Sequence, residues 1–295
     1  MDSGMARYIN PFTDVGFKRI FGQEFSKPLL IDFLNNLLKG EKTIDDLRFL
    51  DKEQPPMHGE DRSLIYDVFC ELEDGKQIIV EMQNCSQLYF KNRSIYYVSE
   101  AIVRQGERGV EWRFNIKAVY LVAFLNYRLP DIGDEFRTDV MLMDKKSKAE
   151  FSDKIRLVYL QLPLFQKEAE ECESDFDRWI YVLKNMETFN RLPWVAKDSV
   201  FHRLAEIAEV SAMTKEERQK YDYALRKYRD NLCVYEGAIQ KGIEKGIAKG
   251  MEQGIAKGVT KRNVEIVRRM KAKGYPLEEI MDCTGLSADE IGALS

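Results

Sequence analysis

The tripeptide Glu73-Asp74-Gly75 constrains this chain more than any other feature, because it fixes how two β-rich runs must meet. Ser63–Leu72 on one side and Lys76–Gln83 on the other read as strands, and the residues between them are a strong hairpin signal. A three-residue loop, with a type I turn and Gly75 left-handed, pairs Leu72 with Lys76. Counting back along that ladder sets Asp67 opposite Glu81. A two-residue loop at Asp74-Gly75 would pair Asp67 with Met82 instead and send the two acids to opposite faces, since side chains alternate. The three-residue register also sorts the remaining residues. Tyr66, Val68, Cys70, Leu72, Ile78, Val80 and Met82 form one apolar face, while Asp67, Phe69, Ile79, Glu81 and Gln83 share the other.

Two anionic side chains directly across a sheet repel each other unless something compensates. A hard divalent cation is a natural compensation, because Mg²⁺ is commonly held by one or two carboxylates together with waters and phosphate oxygens. The plainer reading is a solvated sheet face carrying two unrelated acids. Phe69 and Ile79, which flank the pair, argue for partial burial.

Composition narrows the rest. A chain of 295 residues with 44% apolar content can bury a large core. The net charge of −4 gives no global basic field of the kind that announces a nucleic-acid partner. The five cysteines (Cys70, Cys85, Cys172, Cys233, Cys283) lack paired spacing and read as reduced thiols rather than a disulfide framework or zinc site. Met1–Tyr8 carries no apolar signal segment, and no stretch is long and apolar enough to span a bilayer. The expectation is a cytoplasmic protein without a membrane partner.

Periodicity predicts the order of elements. Pro11-Phe-Thr-Asp14 caps a helix through Val15–Phe21 that stops at Gly22, and a second helix runs from Lys27 to Leu38. Thr43–Leu50 reads as a first strand. After the hairpin, Leu88–Arg108 is helical. Phe114–Leu125 is β-rich and nearly continuous in its apolar part, as a strand buried on both faces should be, and Ile155–Leu162 is a further strand. Helical, charged sequence follows from Glu168 to Glu236. The order is α-α-β-β-β-α-β-β and then helices: an α/β fold with a mixed central sheet flanked by helices, plus a helical C-terminal tail.

The tail differs in kind. Gly237, Gly242, Gly246, Gly250, Gly254 and Gly258 punctuate a tetrad-like run in which glycines and apolar residues form adjacent rows along a helix. Glycine costs about 1 kcal/mol per residue in a helix. Two readings stand: a pliable linker, or a close-packing surface through which the protein forms a homo-oligomer. Beyond it, Val264–Ile291 encodes three short helices with helix-turn-helix-like spacing. Lys241–Lys273 holds ten Lys/Arg against three Glu, which suits contact with a DNA backbone. Asp289 and Glu290 in the would-be recognition helix suit base reading poorly, so a packing or protein-docking module stands beside it. The expected division is residues 1–236, a glycine-tetrad helical linker over 237–262, and a small helical segment over 263–295.

Asp67…Glu81-Met82-Gln83, in the order helix, three strands, helix, strand, resembles the PD-(D/E)XK nuclease superfamily. More narrowly, the opening Pro11-Phe-Thr-Asp-Val-Gly-Phe-Lys-Arg-Ile-Phe-Gly22, the Arg93-Ser-Ile-Tyr-Tyr97 helix and the glycine-tetrad tail resemble the Rpn family of recombination-promoting nucleases and transposases. That resemblance covers essentially the whole chain. It implies a restriction-endonuclease-like core, residues 1–236 being the nuclease-like domain with a helical extension, and metal-dependent endonucleolytic hydrolysis of DNA. Asp67, Glu81 and the backbone carbonyl of Met82 would bind Mg²⁺, or Mn²⁺ in its place. Gln83 stands where the superfamily usually has lysine. An amide can hydrogen-bond a water or a phosphate oxygen but supplies no charge, so the metal, or a lysine from elsewhere such as Lys18, must do the electrostatic work.

Three further residues have two readings or lend support. Asp14 is a helix cap or approaches the metal from the first helix. Arg93 and Tyr97, one turn apart, face the cleft and contact phosphate, or Arg93 merely stacks on its own helix. His58 and His202 are too far apart in sequence to suggest histidine catalysis. No nucleotide-binding glycine loop is present.

Overall fold

The computed structural model describes residues 6–41, 43–55, 63–107, 113–195 and 198–294. They divide into two units, Met1–Leu232 and Cys233–Ser295. In the first, α1 (Asp14–Phe21) and α2 (Lys27–Leu37) precede strands β1 (Leu47–Phe49), β2 (Glu53–Gln54), β3 (Leu64–Ile65), β4 (Val68–Leu72) and β5 (Gln77–Gln83). Helix α3 (Phe90–Val103), strands β6 (Val119–Leu125), β7 (Arg137–Met143) and β8 (Glu150–Gln161), and helices α4 (Asp175–Asn185) and α5 (Ser199–Ala208) follow. Helix α6 (Lys215–Ala272) begins in this unit and continues into the second, which adds α7 (Leu277–Thr284) and α8 (Ala288–Ala293).

The main sheet has the order β1-β4-β5-β6-β8-β7. Strands β5, β6 and β8 are parallel, and the outer pairings are antiparallel. All seven residues of β6 are buried, as its uninterrupted apolar run predicts for the strand at the centre of the parallel set. Helices cover both faces. On one, α1, α2, α4 and α5 enclose an aromatic cluster: Phe124 of β6 lies 5.6 Å from Phe17 and 5.2 Å from Phe33, and Trp179 lies 5.8 Å from Phe21. On the other, Phe90, Val98 and Ala101 of α3 pack against Ile79, Leu121, Ala123 and Tyr159.

Several boundaries and one face differ from expectation. The first strand shortens from Thr43–Leu50 to Leu47–Phe49, and the long strand starts at Val119 rather than Phe114, whose φ is +55°. The helix expected over Leu88–Arg108 spans Phe90–Val103, and Arg108 lies outside the described residues. Tyr66 leaves the apolar face assigned to it, because the chain departs from the ladder just before Val68. Its ring packs instead 5.0 Å from Phe69 and 5.1 Å from Tyr97, under α3. Strand β7 was not anticipated: it is an edge strand whose Val140-Met141-Leu142-Met143 run is partly exposed and bulged against β8, so it lacks the alternation of a half-buried strand.

In the second unit, Val267, Ile280 and Ile291 form a small core joining the end of α6 to α7 and α8. Gly274 (φ +75°) and Gly285 (φ +69°) end successive helices in left-handed conformations, and Ser287 caps α8 in a reciprocal box with Glu290. No helix among the described residues is long and apolar enough to cross a membrane, and all five cysteines are free.

Candidate metal centre

The hairpin has the three-residue register. Gly75 sits at φ +82°, its N–H donates to Leu72 O (2.9 Å), and the Leu72 N–H donates to Lys76 O (2.8 Å). The ladder pairs Glu71 with Gln77, Cys70 with Ile78, Phe69 with Ile79 and Val68 with Val80. One step further, Asp67 and Glu81 meet. The Asp67 N–H donates to Glu81 Oε1 at 3.3 Å, and the Met82 N–H donates to Asp67 Oδ2 at 2.8 Å. Glu81 is only 3% exposed, which removes the solvated-face reading.

Burial in this apolar sandwich sets the electrostatics. Desolvation first, and the facing Asp67 charge second, push the Glu81 carboxyl up to about 8. Asp67 is raised too, chiefly by desolvation and against the opposing pull of the Met82 N–H, Lys18 and Arg93. Gln83, also buried, donates its amide N–H to Glu81 Oε2 at 3.1 Å. The Gln83 amide is therefore spent on orienting the glutamate.

Met82 contributes its backbone. Gln77 N–H bonds Ala118 O, and Gln83 O accepts from Asn126 N–H, so the odd-numbered residues of β5 turn their peptide groups toward β6. By alternation, the Met82 peptide groups fall on the β4 side of the strand, where its N–H reaches Asp67 Oδ2. The two carboxylates thus meet from adjoining strands, both hard oxygen donors. Among the described residues no set of three or more His, Cys, Asp or Glu side chains gathers for a metal. Any ion here would have to complete its shell with carbonyl, water or substrate oxygens.

The opening segment holds α1 against this end of the sheet. Asn10 anchors it: its N–H donates to Tyr221 Oη (2.8 Å), its side-chain N–H to Glu187 Oε2 (2.7 Å), and its Oδ1 accepts from Phe12 N–H (2.8 Å). Thr13, not Asp14, caps the helix, accepting from Gly16 N–H at 3.0 Å. Gly16 is required by proximity, since a β-carbon there would lie 2.2 Å from Asn10 O. Asn84, next after Gln83, donates to Phe12 O at 2.6 Å and ties β5 to that segment.

Asp14 is the first helical residue, 61% exposed, and forms an ion pair with Lys18 one turn on. Both charges are felt at Asp67. Arg93 stacks on its own helix: its guanidinium lies over Phe90 and Tyr97 (5.0 and 5.6 Å) and donates to Gln87 (2.6 Å), and its charge also reaches Asp67 and Glu81. Tyr97 feels both carboxylates and is itself raised, mainly by burial. Two clefts flank Asp14. One, of about 170 Å³, is lined by Phe12, Asn84, Lys227, Tyr228 and Asn231; the other, of about 240 Å³, by Lys18, Arg19, Phe25 and Lys220. Lys220 and Lys227 escaped the sequence reading because they sit in a long charged helix with no distinguishing pattern. Asn84 was accessible to it as the neighbour of Gln83.

A mixed six-stranded sheet, helices on both faces and paired acids on adjoining strands define a restriction-endonuclease-like nuclease fold. The PD-(D/E)XK nuclease family transposase pattern matches residues 11–238, and the chain belongs to that family. No curated protein and no solved structure matches it.

Proposed function

We propose that this protein is a divalent-metal-dependent DNA endonuclease that hydrolyses phosphodiester bonds in recombination or mobile-element movement. The observation that carries the proposal is the Asp67–Glu81 pair: two carboxylates within one buried, hydrogen-bonded cluster, with no cation of the protein in contact with either oxygen pair among the described residues. A structural ion network would place an arginine or lysine between them. The donor set fits Mg²⁺ or Mn²⁺, with Asp67, Glu81 and the Met82 carbonyl as the residues that would hold it. When bound, such an ion acidifies water and neutralises charge on phosphate oxygens.

The protein's own residues do the positioning. The Met82 N–H fixes the Asp67 carboxylate, and Gln83 fixes that of Glu81. Lys18 and Arg93 supply positive potential at the site without direct contact with the carboxylates, and so draw a phosphate backbone toward it. The neighbouring clefts present Lys220 and Lys227 on either side of α1.

One observation favours a second reading. Gln83 brings no charge and is already engaged by Glu81, which fits a protein that keeps the fold for DNA binding or assembly while its chemistry is weak or lost. Supercoiled plasmid separates the two. Full-length protein with Mg²⁺ or Mn²⁺ should nick it, whereas EDTA or Asp67→Ala should abolish nicking. Cutting that persists in either control sinks the metal-centre proposal, and absence of cutting alongside salt-sensitive DNA binding supports the second reading.

A further inference from the structure

Charge is balanced unevenly around the amino end of α1. The two clefts that flank Asp14 are lined by four cations, Lys18, Arg19, Lys220 and Lys227, against two carboxylates, Asp14 and Glu217. Lys18 takes Asp14, and Arg19 takes Glu217 at 2.7 Å. That leaves Lys220 and Lys227 without an ion-pair partner among the described residues, whereas Arg218 and Arg229 of the same helix are held by Asp222 and Glu187. Both lysines are exposed. An exposed lysine is ordinary in itself; the placement of these two is not.

Lys220 and Lys227 lie two turns apart on one side of α6, about 10 Å from each other along its axis. Ala224 and Asn231, which line the smaller cleft with Lys227, continue the same stripe. Ala224 keeps the helix surface low between the two lysines, and the Asn231 amide adds a neutral donor. Because Asp14 lines both clefts, the stripe passes the amino end of α1 with one lysine on each side. The paired acids are close by. Asn84, three residues after Glu81, lines the smaller cleft, and the charges of Asp14 and Lys18 are felt at Asp67. Two unmatched cations at a fixed spacing suit a ligand with a row of negative charges better than a single anion. A DNA strand offers such a row, rising about 3.4 Å per nucleotide, so the two lysines span about three steps. We propose that Lys220 and Lys227 form a two-point track for the phosphate backbone of DNA, laying one strand past α1 and beside Asp67 and Glu81. Both act as positioning residues. What happens to the strand there rests on the nuclease reading; the contacts themselves require only its phosphates.

Fluorescence anisotropy of the full chain with a short labelled duplex, in EDTA and across a series of KCl concentrations, tests the track. Each lost phosphate contact flattens the slope of log affinity against log salt by about 0.9. Lys220→Gln combined with Lys227→Gln should therefore flatten it by about 1.8, so that a fourfold rise in salt costs the variant roughly twelvefold less affinity than the wild type. The change should be equal on unrelated sequences, because phosphate contacts carry no base information. Lys220→Arg with Lys227→Arg should restore the slope, which separates lost charge from lost fold. Lys145→Gln with Lys146→Gln, in the β7–β8 turn at the amino ends of the parallel strands and so at the other end of the sheet, should leave it unchanged. With Mg²⁺, the Lys220 and Lys227 glutamine pair should raise KM for nicking and spare kcat. A wild type that does not bind the duplex, an unchanged slope in that pair, or an equal fall in the Lys145 and Lys146 control overturns the track. A flattened slope in a protein that never nicks keeps the track and sinks the nuclease reading; nicking with slope and KM unaltered does the reverse.

Discussion

Replacing Glu81 by glutamine should change the way stability depends on pH, and do so most clearly without metal. In the wild type, burial and Asp67 raise the Glu81 carboxyl from 4.5 to about 8. The native state therefore holds its proton more tightly than the unfolded chain does. That contribution to stability is fully present below about pH 4.5, declines as pH rises between the two values, and is gone above about 8. At 1.36 kcal/mol per unit, the span corresponds to roughly 5 kcal/mol as a ceiling, since relaxation around the pair will reduce it. Glu81→Gln keeps the shape and removes the charge. It also turns one amide N–H toward a donor, either the Asp67 N–H or the Gln83 amide, with a pH-independent loss of about 1 kcal/mol. The two stability curves should cross: the variant slightly weaker at pH 5 and stronger by roughly 2–4 kcal/mol at pH 9. Urea unfolding in EDTA, followed by tryptophan fluorescence, measures this in the first unit, because all three tryptophans precede residue 233. Added Mg²⁺ should stabilise the wild type at pH 8–9 and leave the variant nearly unmoved. Parallel wild-type and variant curves across pH 5–9 would refute the reasoning.

Two further substitutions probe the supports of the site. Gly16→Ala forces a β-carbon to 2.2 Å from Asn10 O, so it should destabilise the first unit by about 1–3 kcal/mol in the same urea assay; an unchanged midpoint would mean that α1 is free to shift. Gln83→Lys places a cation beside Glu81, and should flatten the pH slope and raise Mg²⁺-dependent nicking by about tenfold, the equivalent of one pKa unit. An unaltered slope and rate would show that charge at position 83 does not govern the site.

How much of this was legible in the sequence follows from what each signal depends on. The hairpin register was legible because it rests on local chemistry: Gly75 must be left-handed, and one residue of slip would have turned every apolar side chain of β4 and β5 to the wrong face. Tyr66 was misplaced because alternation holds only within a strand, and the chain leaves the ladder at Asp67. Strand β7 was missed since an edge strand with bulges and mixed exposure lacks any period. The division of labour between Thr13 and Asp14 was likewise hidden, as both are good capping residues and only the tether through Asn10 decides between them. Arg93 was ambiguous for a different reason. Stacking on its own helix and projecting charge toward a carboxylate are compatible, and sequence spacing reports only the first.

The position of the pair within the sheet explains why these particular supports exist. Glu81 and Gln83 lie toward the carboxyl end of β5, one of three parallel strands, which is where α/β sheets place ligand sites. The chain must turn away there toward α3, so the peptide groups of Met82 and the residues after it lose β4 as a partner beyond Val68. The Met82 N–H finds a substitute in the Asp67 carboxylate, while the Asn84 side-chain amide donates to Phe12 O. That side chain ties the opening segment to this end of β5, and the charge of Lys18 on α1 is felt at Asp67. A change in Asn10 or Gly16 should accordingly reach the carboxylates through backbone position, while leaving every proposed metal-binding residue in the sequence.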